Sequence, residues 1–286
     1  MSSPLNRPVQ HHRTSLDQRT QLGKRASRVE VVTPWLLTSW PGCSEASLVW
    51  VRRRASQRGS VPRPATAPAI EDVEVRWRIA NGRARSRSRR YFVRNQLRYM
   101  WVLTFAEARR ERAEVMWLVG DFARRLRLQH VESGFPYWYS PELHPGGHGW
   151  HVNLFVPMWL PHGTVEALWG HGYVWATDFE CSPVAPKGEP LGLCRTPRDG
   201  WRRAAQYGCK YAQKDWSAES VGAAEDRYEV AQGFQPVPER THVFDLAAGR
   251  SAAKALVSAE DERWVSTWDS DEESEWDRPR VITWRW

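Results

Sequence analysis

The middle of the chain alternates between apolar runs and charged stretches, and the spacing of the apolar residues predicts strands and helices. Residues 99–105 form a continuous apolar run rich in β-forming residues, which is typical of a buried strand. Residues 107–130 are charged but carry apolar residues at helical spacing, which predicts an amphipathic helix. Residues 135–143 and 150–158 are predicted strands, and the Gly- and His-rich segment 144–149 between them predicts a hairpin turn.

Shorter elements follow the hairpin. The pattern predicts, in order, a helix at 164–170, a strand at 172–180, a loop at 181–200, a helix at 201–215 and a final strand or sheet edge at 227–234. Thr164 and Gly170 suit the two ends of the short helix, as N-cap and C-terminal glycine. The order of the elements predicts an α+β fold, a ferredoxin-like, split β-α-β antiparallel sheet with helices on one face.

Composition divides the chain into three parts. Residues 1–70 are polar, basic and rich in Ser and Pro around one apolar island at 31–40, which predicts a largely disordered arm. Residues 71–245 are predicted to form the folded domain, with its core at 99–235. Residues 246–286 form an acidic, Trp-bearing tail, which is expected to be flexible or to dock a partner through its tryptophans.

Charge is distributed unevenly along the chain. The first 100 residues hold 20 Lys and Arg against 6 Asp and Glu, a net charge of +14, whereas residues 101–286 hold 21 against 27, a net charge of −6. A basic segment of this density attracts polyanions, with an affinity that falls as salt rises. Nucleic acid is therefore the expected partner, and the alternative is a solvated arm without a specific ligand.

Targeting signals and disulfide patterns are not evident in the sequence. No apolar window of about 18 residues occurs, so no membrane span is expected, and the basic start lacks the apolar core of a secretory signal. The four cysteines contain no C-x-x-C pair, which favours free thiols in a reducing compartment over a disulfide or zinc framework. The expected location is cytoplasmic.

A doubled Tyr-x-x-Lys unit lies in the last predicted helix. Positions i, i+3, i+4 and i+7 share one helical face, so Tyr207, Lys210, Tyr211 and Lys214 should project together. A nearby cation favours the phenolate, the nucleophilic form of tyrosine, and also binds phosphate oxygens. Only five lysines occur in the chain, and two of them lie here. The alternative is an ordinary amphipathic helix with half-buried tyrosines and solvated lysines.

The second predicted hairpin strand carries a polar pair. His151 and Asn153 lie two residues apart, so they should face the same side about 7 Å from each other. Glu142, on the partner strand, would add a carboxylate. Imidazole, amide and carboxylate donors suit Mn²⁺ and, less well, Mg²⁺. The alternative is a solvated polar face, and His144 and His148 are expected to be exposed turn residues.

These segments occur in an order that resembles a known family. The strand Leu103-Thr104-Phe105, the strand His151–Asn153, the segment 168–174 and the tyrosine helix 207–214 together resemble the rolling-circle replication initiator (Rep) proteins of actinobacterial plasmids and phages, in the HUH endonuclease superfamily. The resemblance covers roughly residues 99–235. The end of the family's first motif falls on Leu103 and Thr104.

The resemblance implies a metal site. The family's His-hydrophobic-His motif falls on His151, Val152 and Asn153, so asparagine replaces the second histidine. Glu142 matches an acidic position that some members place before the metal strand. The implied cofactor is a divalent cation, Mn²⁺ or Mg²⁺, and the replacement is expected to lower its affinity.

The resemblance also implies the chemistry. Tyr207, Lys210, Tyr211 and Lys214 match the two-tyrosine version of the catalytic motif. A tyrosine would attack single-stranded or extruded origin DNA, leaving a 5′-phosphotyrosine link and a free 3′-hydroxyl. Host helicase and DNA polymerase are the implied partners, because the sequence contains no P-loop motif.

Three other functions are compatible with parts of the sequence. The first is a non-catalytic single-strand DNA-binding regulator with a degenerate site, which the Asn153 replacement favours. The second is a related relaxase or transposase, which the doubled tyrosine motif disfavours. The third is an RNA-binding ferredoxin-like domain, which would need a K/R-G-F-G-F-like string that the sequence lacks.

Overall fold

A computed structural model of the chain describes residues 35–50, 73–107, 111–130, 134–144, 149–179, 197–214, 228–259, 266–269 and 281–285. Over these residues the chain forms five helices and two five-stranded antiparallel sheets. The α+β class predicted from the sequence is therefore confirmed. None of the described helices is both long and apolar enough to cross a membrane.

The first sheet joins strands from the two ends of the described chain. Its order is β8 (Glu239–Val243), β1 (Trp35–Trp40), β2 (Glu45–Trp50), β10 (Val281–Arg285) and β9 (Ser266–Asp269). Helix α5 (Leu246–Ala259) packs on this sheet, and Ala253 joins the buried core of Leu37, Leu48, Ile282 and Trp284.

Parts of the predicted disordered arm and flexible tail are folded in this sheet. Residues 35–50 of the predicted arm form a hairpin, and residues 246–259, 266–269 and 281–285 of the predicted tail form a helix and two strands. Each end alone has too few apolar residues for a core, whereas the paired ends bury them jointly. The predicted disorder at 1–34 and 51–70, like the most acidic part of the tail at 270–280, lies outside the described residues.

The second sheet contains the strands predicted from the middle of the chain. Its order is β6 (Val174–Asp178), β3 (Tyr99–Leu103), β5 (Trp150–Val156), β4 (Trp138–Leu143) and β7 (Glu229–Val230). Every neighbouring pair is antiparallel. The apolar run 99–105 and the hairpin strands thus occupy the centre of this sheet.

Helices cover both faces of the second sheet. On one face, α2 (Arg112–His130) and α3 (His162–Trp169) bury Phe122 and Trp169 against Trp101 and Leu154. The other face is covered by α1 (Val73–Arg94) and α4 (Pro197–Lys214), which bury apolar residues against Met100, Trp138 and Phe155. The prediction of helices on one face alone was therefore wrong. A strand buried on both faces is apolar without interruption, as β3 is.

Helix boundaries differ in several places from the predicted ones. Helix α4 begins at Pro197, inside the predicted loop 181–200, and α2 begins at Arg112 instead of at residue 107. No element was predicted between residues 71 and 98, and most of this segment forms the 22-residue helix α1. Helix α3 begins at His162 with Pro161 at its N-cap, instead of at Thr164, while Gly170 ends it in the left-handed conformation at φ 64°, as predicted.

Helix α1 connects the two sheets through one carboxylate. Glu45 of β2 has a side chain that is only 3% exposed, and it accepts hydrogen bonds from Arg89 and Arg90 of α1. The terminal nitrogens of the two arginines lie 2.6 and 2.7 Å from its two oxygens. Each guanidinium binds one oxygen, so the buried charge is fully paired.

Candidate active site

The β4–β5 hairpin brings the three predicted ligand residues to one place. Glu142 pairs with His151 across the hairpin, and Ser140 pairs with Asn153. Because side chains alternate along a strand, His151, Asn153 and Phe155 share one face of the sheet. Phe155 packs with Ala204 and other buried residues of α1 and α4, so this is the face that those two helices cover.

The side chains of His151 and Asn153 both approach one carboxylate oxygen of Glu142. Oε2 of Glu142 lies 3.1 Å from Nε2 of His151 and accepts a hydrogen bond of 3.5 Å from Nδ2 of Asn153. Glu142 and Asn153 are each 2% exposed. A carboxylate this deeply buried requires polar partners, and the other two residues supply them.

The donor atoms at this site suit a divalent cation. Within the described part of the chain, no group of three His, Cys, Asp or Glu side chains is arranged to hold a metal, so the third candidate donor is the amide of Asn153, which here faces Glu142 with Nδ2 and would ligate a cation through its oxygen. Nδ1 of His151 is buried and, among the described residues, has no hydrogen-bond partner. Carboxylate and amide oxygens with one imidazole nitrogen fit Mn²⁺ or Mg²⁺.

Two histidines flank or occupy the turn of the hairpin, and both were predicted to be exposed. His144 is exposed, as predicted, and its ring lies 6.2 Å from the ring of His151. His148, predicted as an exposed turn residue, lies outside the described residues.

The tyrosine motif forms a helix on the same face of the sheet. Tyr207 is half-buried with its ring 5.2 Å from that of Phe179, and Lys210 is exposed. The backbone of Tyr211 and Lys214 continues the helix, and the side chains of these two residues lie outside the described ones. The helical placement of the motif is therefore as predicted, and the burial of Tyr207 matches the plain amphipathic alternative.

Helix α4 approaches the sheet closely at Gly208. A Cβ atom at this position would lie 3.0 Å from Phe92 and 3.3 Å from both Phe155 and Trp138, so any larger residue would require these rings to move by a few tenths of an ångström. Phe155 is four residues from His151 along β5, a distance of about 14 Å in an extended strand. The structure thus brings the three polar residues together and places Tyr207 on their face, nearer the other end of the strand.

Comparisons of the chain with protein-family models, with curated proteins and with solved structures found no match. The functional inference therefore rests on the residues and the geometry of this site.

Other buried tyrosines and the cysteine of α4 are unsuited to nucleophilic attack. Burial raises the pKa of Tyr139, and its hydrogen bond with Glu229 raises that pKa further. Burial likewise raises the pKa of Tyr91, and it raises the pKa of the Cys209 thiol to about 11. These groups stay protonated at neutral pH.

The segment between α3 and β6 supports the first predicted motif. Nε1 of Trp169 donates a hydrogen bond of 2.7 Å to the carbonyl of Thr104, and the Thr104 hydroxyl donates to the carbonyl of Tyr173 at 2.8 Å. The backbone passes so close at Gly172 that a Cβ there would lie 2.8 Å from the amide nitrogen of Ala106. Leu103 pairs with Val152, the residue after His151, so this contact lies at the same end of the sheet as the polar group.

We expect Gly172→Ala to lower the free energy of unfolding by about 1–3 kcal/mol, because the added methyl group overlaps fixed backbone atoms. Thermal unfolding monitored by circular dichroism measures the effect. Gly163→Ala is the control, since nothing lies within 4 Å of a Cβ at that position, and it should cause no loss. An equally stable Gly172→Ala protein would contradict the close approach.

Proposed function

We propose that the chain is a replication initiator of the HUH type, which nicks single-stranded origin DNA by transfer of a phosphoryl group to tyrosine. The observation that carries the proposal is the convergence of His151 and Asn153 on the buried Glu142 carboxylate, on the sheet face covered by the tyrosine helix. A buried carboxylate beside an imidazole and an amide, on a sheet face that is otherwise mostly apolar, supports a functional role.

The strand order supports the ferredoxin-like assignment. Strands β3, β4, β5 and β6 are the first to fourth strands of the predicted unit, and they lie in the order fourth, first, third, second. This is the order of a split β-α-β fold. The third strand lies between the first and second strands, and the first strand lies between the third and fourth. Helices α2 and α3 are the two connections, and both pack on one face. Helices α1 and α4 are then additions on the opposite face.

The proposed cofactor is a divalent cation, Mn²⁺ or Mg²⁺, held by the Glu142 carboxylate, the His151 imidazole and the Asn153 amide. When bound, such an ion withdraws charge from the non-bridging oxygens of the scissile phosphate. Glu142 already contacts both other residues, so it holds the donor groups together on one side of the hairpin.

The proposed chemistry belongs to the tyrosine helix. The hydroxyl oxygen of Tyr207 or Tyr211 forms a bond with phosphorus as it loses its proton, and the bond between phosphorus and the 3′-oxygen breaks. The leaving 3′-oxygen takes up a proton, which yields a free 3′-hydroxyl and a 5′-phosphotyrosine. Lys210 is exposed on the same helix and would attract the phosphate, and Lys214 would do the same one turn later.

A second function is a single-strand DNA-binding regulator without nicking activity. One observation favours it, because Asn153 donates its amide hydrogen to Glu142, so the amide faces the carboxylate with its nitrogen and not with the oxygen that a cation would need. A related relaxase or transposase is a third candidate, because those enzymes use the same tyrosine chemistry. The cytoplasmic location and the use of host helicase and polymerase are parts of the proposal.

The test is the formation of a covalent adduct. The full-length protein is incubated with a pool of random-sequence single-stranded DNA labelled at the 3′ end, with Mn²⁺, with Mg²⁺ or with EDTA. We expect a labelled protein band with either metal and none with EDTA, and mass spectrometry should locate the nucleotide on a tyrosine. Metal-independent DNA binding without any adduct would support the regulator instead.

Glu142→Gln should reduce the rate of adduct formation at least about tenfold, because it removes the carboxylate charge that would hold the cation. The rate of band formation in Mn²⁺ measures this. Glu166→Gln is the matched control, since that side chain is 56% exposed on α3, and it should react at the original rate. An unchanged rate in Glu142→Gln would contradict the assigned metal site.

A further inference from the structure

A pocket of about 530 Å³ lies between helix α1, the first sheet and strand β7. Its volume is within the range of small-ligand sites. The residues that give it a chemical character are three arginines and three aromatic side chains: Arg87, Arg90, Arg240, Trp40, Tyr91 and Tyr228. It is separate from the Glu142 group, and none of its residues belongs to the proposed catalytic set.

Two of the three arginines are available to bind an anion. Arg90 binds Glu45, and its guanidinium also lies 3.4 Å from the centre of the Trp40 ring. Arg87 and Arg240 are exposed, and within the described ranges neither has a hydrogen-bond or ion-pair partner. Two guanidinium groups at one pocket match the oxygens of a phosphate.

The surroundings of the pocket are positively charged. Burial lowers the pKa of Arg285, and the nearby charges of Arg89, Arg90 and Arg85 lower it further, while Glu45 opposes them. Among the groups that shift this pKa, one carboxylate lies among three arginines, so the positive charges next to Arg285 outnumber the negative one. Such an excess attracts a phosphate and favours its retention.

The aromatic walls of the pocket are held in place. The ring of Tyr228 stacks on Trp138 at 5.4 Å between centres and 20° between planes. The hydroxyl of Tyr91 donates to the carbonyl of Ala231 at 3.3 Å. Fixed aromatic rings next to arginines form the combination that binds an unpaired base and its phosphate.

We propose that this pocket binds one nucleotide of single-stranded DNA, with the phosphate on Arg87 and Arg240 and the base against the aromatic wall. The choice of DNA rests on the proposed function, whereas the affinity for a base with a phosphate does not. The exposed Arg85 on the same helix offers a contact for a neighbouring phosphate, which favours a strand over a free nucleotide.

Fluorescence anisotropy with a short labelled oligothymidylate tests the proposal. The full-length protein is kept in EDTA so that no adduct forms. We expect Arg87→Ala with Arg240→Ala to raise the Kd about tenfold or more, and Tyr228→Leu to raise it about tenfold. The matched control is Arg83→Ala with Arg94→Ala, which removes the same charge from exposed positions outside the pocket and should raise the Kd less than about threefold.

Equal weakening by the two double variants overturns the proposal, because the effect would then be one of net charge. If thymidine monophosphate competes as strongly as the oligonucleotide, the pocket binds a free nucleotide, and the proposal that it binds a DNA strand is wrong. Tighter binding of oligouridylate overturns the choice of DNA. The double variant Arg87→Lys with Arg240→Lys keeps the charge, so it should bind more tightly than the double alanine variant. A loss of affinity caused by misfolding would not be reversed in this way. Binding is measured in the absence of nicking, so this experiment tests the pocket even if the nicking proposal is wrong.

Discussion

Replacement of both Tyr207 and Tyr211 by phenylalanine abolishes the covalent DNA adduct. The proposed reaction requires a tyrosine oxygen, and phenylalanine removes that oxygen while it keeps the ring that packs against Phe179. We expect the adduct yield in Mn²⁺ to fall at least about a thousandfold, as for the loss of a nucleophile in other enzymes. The two single variants show which tyrosine attacks first.

The controls for this experiment separate chemistry from folding and binding. Tyr173→Phe removes a hydroxyl from a side chain that is 81% exposed on the border of the Thr104 contact, and its adduct yield should not change. Anisotropy should give the same DNA affinity for the double variant as for the original protein. An adduct that persists in the double variant would falsify the assignment of the nucleophile.

Glu45→Gln should lower the free energy of unfolding by about 3 kcal/mol, the second large effect that we expect. The amide keeps the shape of the side chain but removes the charge, so Arg89 and Arg90 lose the carboxylate that pairs both of them. The loss also weakens the connection between the first sheet and α1. Urea unfolding followed by tryptophan fluorescence measures it, and the transition midpoint should fall at unchanged slope.

The control for Glu45 is an ion pair of similar geometry in solvent. Arg98 donates two hydrogen bonds to Asp178 at 2.9 and 2.7 Å, and both side chains are about a quarter exposed. Asp178→Asn should therefore cost less than about 1 kcal/mol. Equal losses in the two variants would mean that burial of Glu45 contributes nothing.

Local patterns in the sequence were sufficient to predict the central strands of the second sheet. The apolar run that became β3 and the two strands around the Gly-rich turn are each specified by residues near one another in the chain. The same is true of Glu142, His151 and Asn153, because a hairpin sets which residues face each other once the turn is known. The proximity of these three residues was thus predictable, although the hydrogen bonds between them were not.

The first sheet was not predictable in this way. Strand β1 pairs with β8 from Trp35↔Val243 onward, and β10 lies beside β2, so each partner lies far away in the chain. A window that contains only one of the partners holds too few apolar residues to form a core of its own. The arm and the tail therefore looked disordered, and the arginines of α1 gave no sign that they would meet Glu45 or line a pocket.

By itself, the sequence determined the α+β class, the central hairpin with its three polar residues and the helical form of the tyrosine motif, since neighbouring residues set each of these. Only the tertiary structure decided that the two chain ends share a sheet, that helices cover both faces of the second sheet, and that Arg87 and Arg240 line one pocket. Those features arise from contacts between distant segments, which form because together the segments bury apolar surface that neither could bury alone.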